Sequence, residues 1–162
     1  VILVAAMNPY RGSEDGTTDL ARAMQQTYKD KISGPILDRI DIWIEVPHVS
    51  YETLAHKVQN DNETTDARNL IKAARAQQAK RLLGRGITTN ASMTSRDIED
   101  TITLTTEVET LLKSSAAKLN LSPRSYHRLI KVAQTIADIE GVETITTAHL
   151  LEALQYRVRL SI

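Results

Sequence analysis

Apolar positions along this chain fall into two regimes. The opening run Val1-Ile2-Leu3-Val4-Ala5-Ala6-Met7 shows no alternation, the pattern of a strand buried on both faces. A second short run, Asp41-Ile42-Trp43-Ile44-Glu45-Val46, is closed by Pro47 and also reads as a strand. Between them, Gly12, Gly16 and Ser13-Glu14-Asp15 mark a loop, Asp19 is placed to cap a short helix to about Lys31, and Ser33 with Pro35 suits the start of another. A strand buried on both faces needs ladder partners on both sides, and the sequence offers a single second candidate. The expectation is therefore the C-terminal part of a larger protein, its other strands lying upstream.

From residue 61 onward the period changes to that of a helix. Residues 61–65 read as a linker or helix start. A long helix is predicted over about 65–83, with Ala67, Leu70, Ile71, Ala74 and Gln78 on one face and Gly84-Arg85-Gly86 as its stop. A short helix capped by Ser95 follows over about 95–100. The next is predicted over about 104–119, with Leu104, Val108, Leu111, Leu112 and Leu119 in register. Ser122-Pro123 opens a helix whose apolar face is Tyr126, Leu129, Ile130, Ala133, Ile136 and Ala137, and Gly141 ends it. Thr146 caps a last helix carrying Leu150, Leu151 and Leu154. The fold class is mainly α with a short α/β portion, the helices forming a small bundle.

Composition narrows the function. The 162 residues are 41% hydrophobic and 25% charged, an ordinary globular balance. Twenty Lys+Arg against 20 Asp+Glu give zero net charge, which argues against a histone-like polybasic binder while leaving room for a local basic stripe. With no cysteine there are no disulfides, thiolate metal sites or cysteine nucleophiles. No apolar run approaches the roughly 18–20 residues of a membrane-spanning helix, and the opening run lacks the basic flank of a secretory signal. A cytoplasmic protein with no membrane partner is expected. Trp43, five Tyr and no Phe leave the core to Leu, Ile, Val and Ala.

The sequence contains no GxxxxGK[ST] loop and no apolar strand ending in Asp-Glu, so it holds no self-sufficient nucleotide site. His48, His56, His127 and His149 are scattered without metal-ligand spacing and fit surface or structural roles; no metal site is expected. Three polar residues stand where a nucleotide site would want them. Asn8 follows the first strand, where ligands of open α/β sheets bind, and is either a polarising amide or part of an Asn-Pro turn. Arg39, between Asp38 and Asp41, is either a structural ion pair or a guanidinium reaching a neighbouring subunit's phosphate. Arg124 lies in the first turn of a helix, where a cation opposes the macrodipole but an anion is welcome. It shares a face with Arg128 and Lys131. Arg68, Lys72 and Arg75 form a second basic row, either a solvated face or a contact to a nucleic-acid backbone.

The runs Leu3-Val4-Ala5-Ala6-Met7-Asn8-Pro9, Ile32-Ser33-Gly34-Pro35-Ile36-Leu37-Asp38-Arg39-Ile40-Asp41 and Ile44-Glu45-Val46-Pro47 together resemble the magnesium-chelatase-like AAA+ ATPases of the ComM/YifB type. So do Leu121-Ser122-Pro123-Arg124-Ser125-Tyr126-His127-Arg128, the run from Ala133 to Gly141 and the run from His149 to Arg157. The resemblance covers nearly the whole chain in order. More distantly, the layout is similar to the chelatase ATPase subunit and the MCM helicases.

The resemblance implies that residues 1–58 end an AAA+ α/β core and that about 62–160 form its helical lid. It places Asn8 at the sensor-1 position, Arg39 at the arginine finger acting on ATP of the adjacent subunit, and Arg124 at the sensor-2 arginine of the lid. It implies ATP and Mg as ligands of the full-length protein, with none expected on this chain alone, and a homo-oligomer, a hexameric ring, working on DNA. Two other readings stay open: an ATPase subunit for metal insertion into a tetrapyrrole, and a non-catalytic helical module whose basic rows touch nucleic acid. One departure is plain. Relatives of this type carry cysteines just after Asn-Pro, where this chain has Tyr10-Arg11-Gly12-Ser13.

Overall fold

The computed structural model describes residues 2–6, 39–44, 46 and 62–157. They belong to two units, Val1–Ile40 and Asp41–Ile162, each considered by itself. The loop and helices expected over 10–38 lie outside the described residues. Two expectations need correction. Residues 2–6 and 41–44 form no strand, and Ile2 and Val4 are each 89% exposed rather than buried. A strand exists only as one member of a ladder, and no ladder partner stands beside either run among the described residues. The Trp43 N–H instead donates to the Tyr156 carbonyl at 2.8 Å.

The described part of the second unit is chiefly helical, as its periodicity predicts. Helix α1 spans Glu63–Arg81, a 3-10 turn spans Asn90–Ser92, and α2 spans Ser95–Thr101. Helices α3, α4 and α5 span Thr106–Lys118, Pro123–Glu140 and Thr147–Gln155. Each start has a local cause. The Thr105 hydroxyl accepts the Val108 N–H at 3.4 Å to open α3, and the cap of α2 is Thr94 rather than the expected Ser95. Ser122 caps α4 ahead of Pro123, whose missing N–H costs nothing in a first turn. Thr146 and His149 cap α5 reciprocally: the Thr146 N–H donates to His149 Nδ1 at 3.1 Å, and the His149 N–H to Thr146 Oγ1 at 3.4 Å. Helix α4 stops at Gly141, whose φ of 79° lets the Val142 N–H return to the Ala137 carbonyl at 2.9 Å.

Helix α4 is the hub, packing on α5, α1, α2 and the 3-10 turn. The face foreseen for it is the one buried: Leu129, Ile130, Ala133, Ile136 and Ala137 are in the core and Tyr126 packs at its edge. Leu82, Leu112, Ile145 and Leu150 complete a core of small and branched aliphatic side chains with Met93 as filler. Helix α1 departs from its expected face. It buries Ala74 and Gln78, but Leu70 is 51% and Ile71 55% exposed. Its C-terminal half is thus the packed half.

One polar cluster lies inside the core. Asp138 of α4 is fully buried and is bonded by both terminal nitrogens of Arg81, whose side chain is 14% exposed. Asn90 Nδ2 donates to Asp138 Oδ2 at 2.8 Å and Gln134 Nε2 to Asp138 Oδ1 at 3.2 Å. Arg81 Nη1 also donates to Asn90 Oδ1 at 3.0 Å, and Gln134 Nε2 to the Glu143 carbonyl at 3.2 Å. The cluster ties the end of α1, the 3-10 turn and the end of α4 into one arrangement. Removing one partner of such a buried pair strands the other charge. Asp138→Ala is therefore expected to lower unfolding free energy by about 3–5 kcal/mol in urea titrations followed by circular dichroism. A loss below about 1 kcal/mol would show that the cluster is solvated in solution.

Candidate functional site

The start of α4 is built before it can bind anything. Ser122 Oγ accepts the Ser125 N–H at 3.2 Å and donates its own hydrogen to Ser125 Oγ at 3.1 Å. Ser125 is buried, and its hydroxyl also accepts from Arg157 Nη2 at 2.8 Å. The first turn of α4 is thereby fastened to the end of α5. Arg124, the next residue out, is left exposed.

Beside this turn runs an open groove of about 530 Å³. One wall is α4, with Arg124, His127, Arg128 and Lys131; the other is the segment Met93-Thr94-Ser95 entering α2. Ser95 Oγ and His127 Nδ1 lie 3.4 Å apart across it. Lys131 Nζ donates to the Ala91 carbonyl at 3.2 Å and the Met93 carbonyl at 2.5 Å, which holds the far wall against α4. Burial pushes the Lys131 ammonium below its ordinary value, with Asp41 opposing the shift. Arg128 Nη1 pairs with Asp41 Oδ1 at 3.1 Å. Arg128 and Lys131 thus serve the frame of the groove. Arg124 has no hydrogen bond or ion pair among the described residues, so its guanidinium is available to a ligand.

The far wall has its own electrostatic brace. Thr94 donates to Asp97 Oδ2 from its backbone N–H at 2.8 Å and from its hydroxyl at 2.7 Å, while the Asp97 N–H returns to Thr94 Oγ1 at 3.2 Å. Arg85 donates to Asp97 Oδ1 and Asp100 Oδ2, each at 3.1 Å. These contacts hold the Asp97 carboxyl below its usual range, Thr94 more than Arg85, and raise the Arg85 guanidinium.

Of the residues singled out from the sequence, Asn8 lies outside the described residues. Arg39 is exposed in the first unit and Arg124 in the second. Arg124, Arg128 and Lys131 do line one groove. Arg68, Lys72 and Arg75 are all exposed on α1, and Arg75 Nη1 reaches Gln78 Oε1 at 3.5 Å. His149 is buried as a cap, its Nε2 lying 2.8 Å from Glu140 Oε2. Among the described residues no cluster of His, Cys, Asp and Glu could hold a metal ion, and no helix is long and apolar enough to cross a membrane.

Comparison with known proteins bears on this geometry. Residues 61–157, which include every residue lining the groove, match the C-terminal family of magnesium chelatase subunit ChlI. The chain belongs to the magnesium chelatase family. Residues 1–54 match the ChlI family proper. Among relatives, the competence protein ComM of Haemophilus influenzae is 38% identical over 157 residues, covering 96% of this chain and 30% of the relative. YifB of Escherichia coli, an uncharacterized protein, is 36% identical over 162 residues with the same coverage. An uncharacterized protein of Mycobacterium tuberculosis is 26% identical over 157 residues. The chain spans about 30% of the length of the curated relatives it matches. The ComM/YifB resemblance read from the motifs is therefore correct, and the protein is magnesium-chelatase-like.

In this member of the magnesium chelatase family, sequence reasoning missed the braces of the groove. Thr94 and Asp97 form a capping box whose spacing was visible, yet Ser95 drew the cap assignment. The links from Lys131 to two carbonyls and from Arg128 to Asp41 join distant positions and left no local signal. The Asp97 brace has a pH consequence. Its folded carboxyl titrates below the ordinary 3.8, so its contribution is complete above about pH 4 and is lost as pH falls through the lower folded value. Amide resonances of Thr94 and Ser95 should shift below about pH 4. Asp97→Asn, which keeps an acceptor but does not titrate, should abolish that transition; its persistence would place the titration elsewhere.

Proposed function

We propose that this chain supplies the helical lid and part of the ATPase core of an ATP-driven, ring-forming motor that acts on DNA, and that Arg124 contacts the nucleotide's terminal phosphates. The observation that carries the reading is the free guanidinium of Arg124, set in the first turn of an 18-residue helix and facing an open groove whose other cations are already engaged. The position is costly for the helix alone, by a few tenths of a kcal/mol, because a cation opposes the positive end of the macrodipole. An anion there relieves the repulsion, and the Arg124 N–H remains to meet it, since Pro123 has none and Ser125 and Tyr126 donate to Ser122. A triphosphate fits this donor set. No carboxylate is among the residues lining the groove.

Catalysis in such a motor is positioning plus charge stabilisation on the transferred phosphoryl group. Arg124 neutralises charge on the nucleotide bound by its own subunit. Arg39 acts as the arginine finger toward the ATP of an adjacent copy in a homo-oligomeric, hexameric ring. Asn8 orients the attacking water as sensor 1. The family match equally suits an ATPase subunit for metal insertion. Stimulation of turnover by DNA supports the motor, whereas turnover that depends on chelatase partner subunits supports insertion.

In the full-length protein, Arg39→Ala should lower ATP turnover about a thousandfold with nucleotide binding retained, and Arg124→Ala about a hundredfold. Retained turnover in either variant removes that residue from the mechanism. In the full-length protein, ATP titration should shift amide resonances of Thr94, Ser95 and residues 124–128, and Arg124→Ala should abolish those shifts.

A further inference from the structure

We infer that His127 is a second phosphate contact in the groove, donating from Nε2, and that Ser95 positions its ring through Nδ1. The inference rests on the reading of this groove as the nucleotide's phosphate site and extends it by one contact. Most polar side chains lining the groove are engaged in holding its walls. Lys131 donates to the Ala91 and Met93 carbonyls, Arg128 pairs with Asp41, and Thr94 is closed on Asp97. Ser95 and His127 differ from these. Ser95 Oγ lies 3.4 Å from His127 Nδ1, and neither side chain has another hydrogen bond among the described residues. His127 Nε2 therefore has no partner among them, in a groove lined by no carboxylate.

The ring is set before a ligand arrives. Its plane is fixed by Tyr126, which it meets edge to face at a centroid distance of 5.7 Å and an interplanar angle of 85°. Tyr126 in turn packs against the core. A neutral imidazole has one N–H and one lone pair, and a hydroxyl donating to Nδ1 leaves the N–H at Nε2. An anion in the groove favours the same tautomer, because only an N–H can face it. The 3.4 Å separation from Ser95 is long for a hydrogen bond, and loading of the groove should shorten it. His127 follows Arg124 by three residues, about 4.5 Å along α4, so the two stand on one side of the helix. They offer two donors about one turn apart. A carboxylate satisfies one of them, whereas consecutive phosphates of a nucleotide satisfy both.

The test is calorimetric titration of the full-length protein with a non-hydrolysable ATP analogue and magnesium. H127N should bind about tenfold more weakly, the loss expected for one hydrogen bond to a charged group. H127Q, whose longer side chain carries an amide N–H to the place of Nε2, should bind within about threefold of the parent. S95A should weaken binding about threefold in the parent and leave H127Q unchanged, because an amide has no tautomer to fix. With histidine labelled by nitrogen-15, the His127 signals, identified by their absence in H127Q, should report a proton on Nε2 in the complex. That measurement needs no variant to fold in the binding assay. Parent-like binding by H127N overturns the inference. So does an equal loss in H127N and H127Q, which assigns the ring to packing alone, or an Nε2 without a proton in the complex. R124A separates this inference from the reading beneath it. Weak binding by R124A with parent-like binding by H127N sinks the His127 contact alone, whereas parent-like binding by both sinks the groove as a phosphate site.

Discussion

A carboxylate with no access to water sits near the end of the central helix, and the rest of the bundle is arranged around keeping it satisfied. Asp138 accepts from Arg81, Asn90 and Gln134, three residues from three separate segments. A buried charge of this kind tolerates one geometry, because any shift that breaks a bond leaves an uncompensated group in a low-dielectric interior. Such clusters add little net stability compared with an apolar replacement. What this one does is fix where the end of α1 and the 3-10 turn meet α4. Aliphatic packing alone, with its exchangeable shapes, leaves that register loosely defined.

The groove at the other end of α4 follows from that register. Once the 3-10 turn is set, Ala91 and Met93 present their carbonyls to Lys131, and Thr94 and Asp97 start α2 opposite the first turn of α4. The Ser122–Ser125–Arg157 contacts fasten that turn from behind. Three positive side chains then stand along one helical face without collapsing onto the same acceptor. Lys131 is engaged by backbone, Arg128 by Asp41, and Arg124 faces the open space. This division separates two cations that frame the groove from one that stays exposed beside it.

Helix α1 has a different economy. Its C-terminal half is locked by Arg81 and Gln78, while its N-terminal half carries Leu70 and Ile71 into solvent. A helix that is neither clearly amphipathic nor laced with intrahelical ion pairs gains little from its own surface. Its stability is borrowed from the packed half, through the cooperativity of helix propagation.

The sequence by itself determined the helices, their order, the caps of the last two and the buried face of α4, because those depend on contacts within a few residues. Ser122-Pro123, Gly141 and Thr146 stand where their local chemistry places them. It also carried the family resemblance, and with it the interest in Arg124. It did not determine the fate of the two apolar runs, since a strand needs a partner that no local pattern supplies. Nor could it tell which cations are free. Arg68, Lys72, Arg81, Arg85, Arg124 and Lys131 look alike along the chain. Tertiary structure sorted them, because an ion pair or a lysine–carbonyl bond is decided by which segments meet in space.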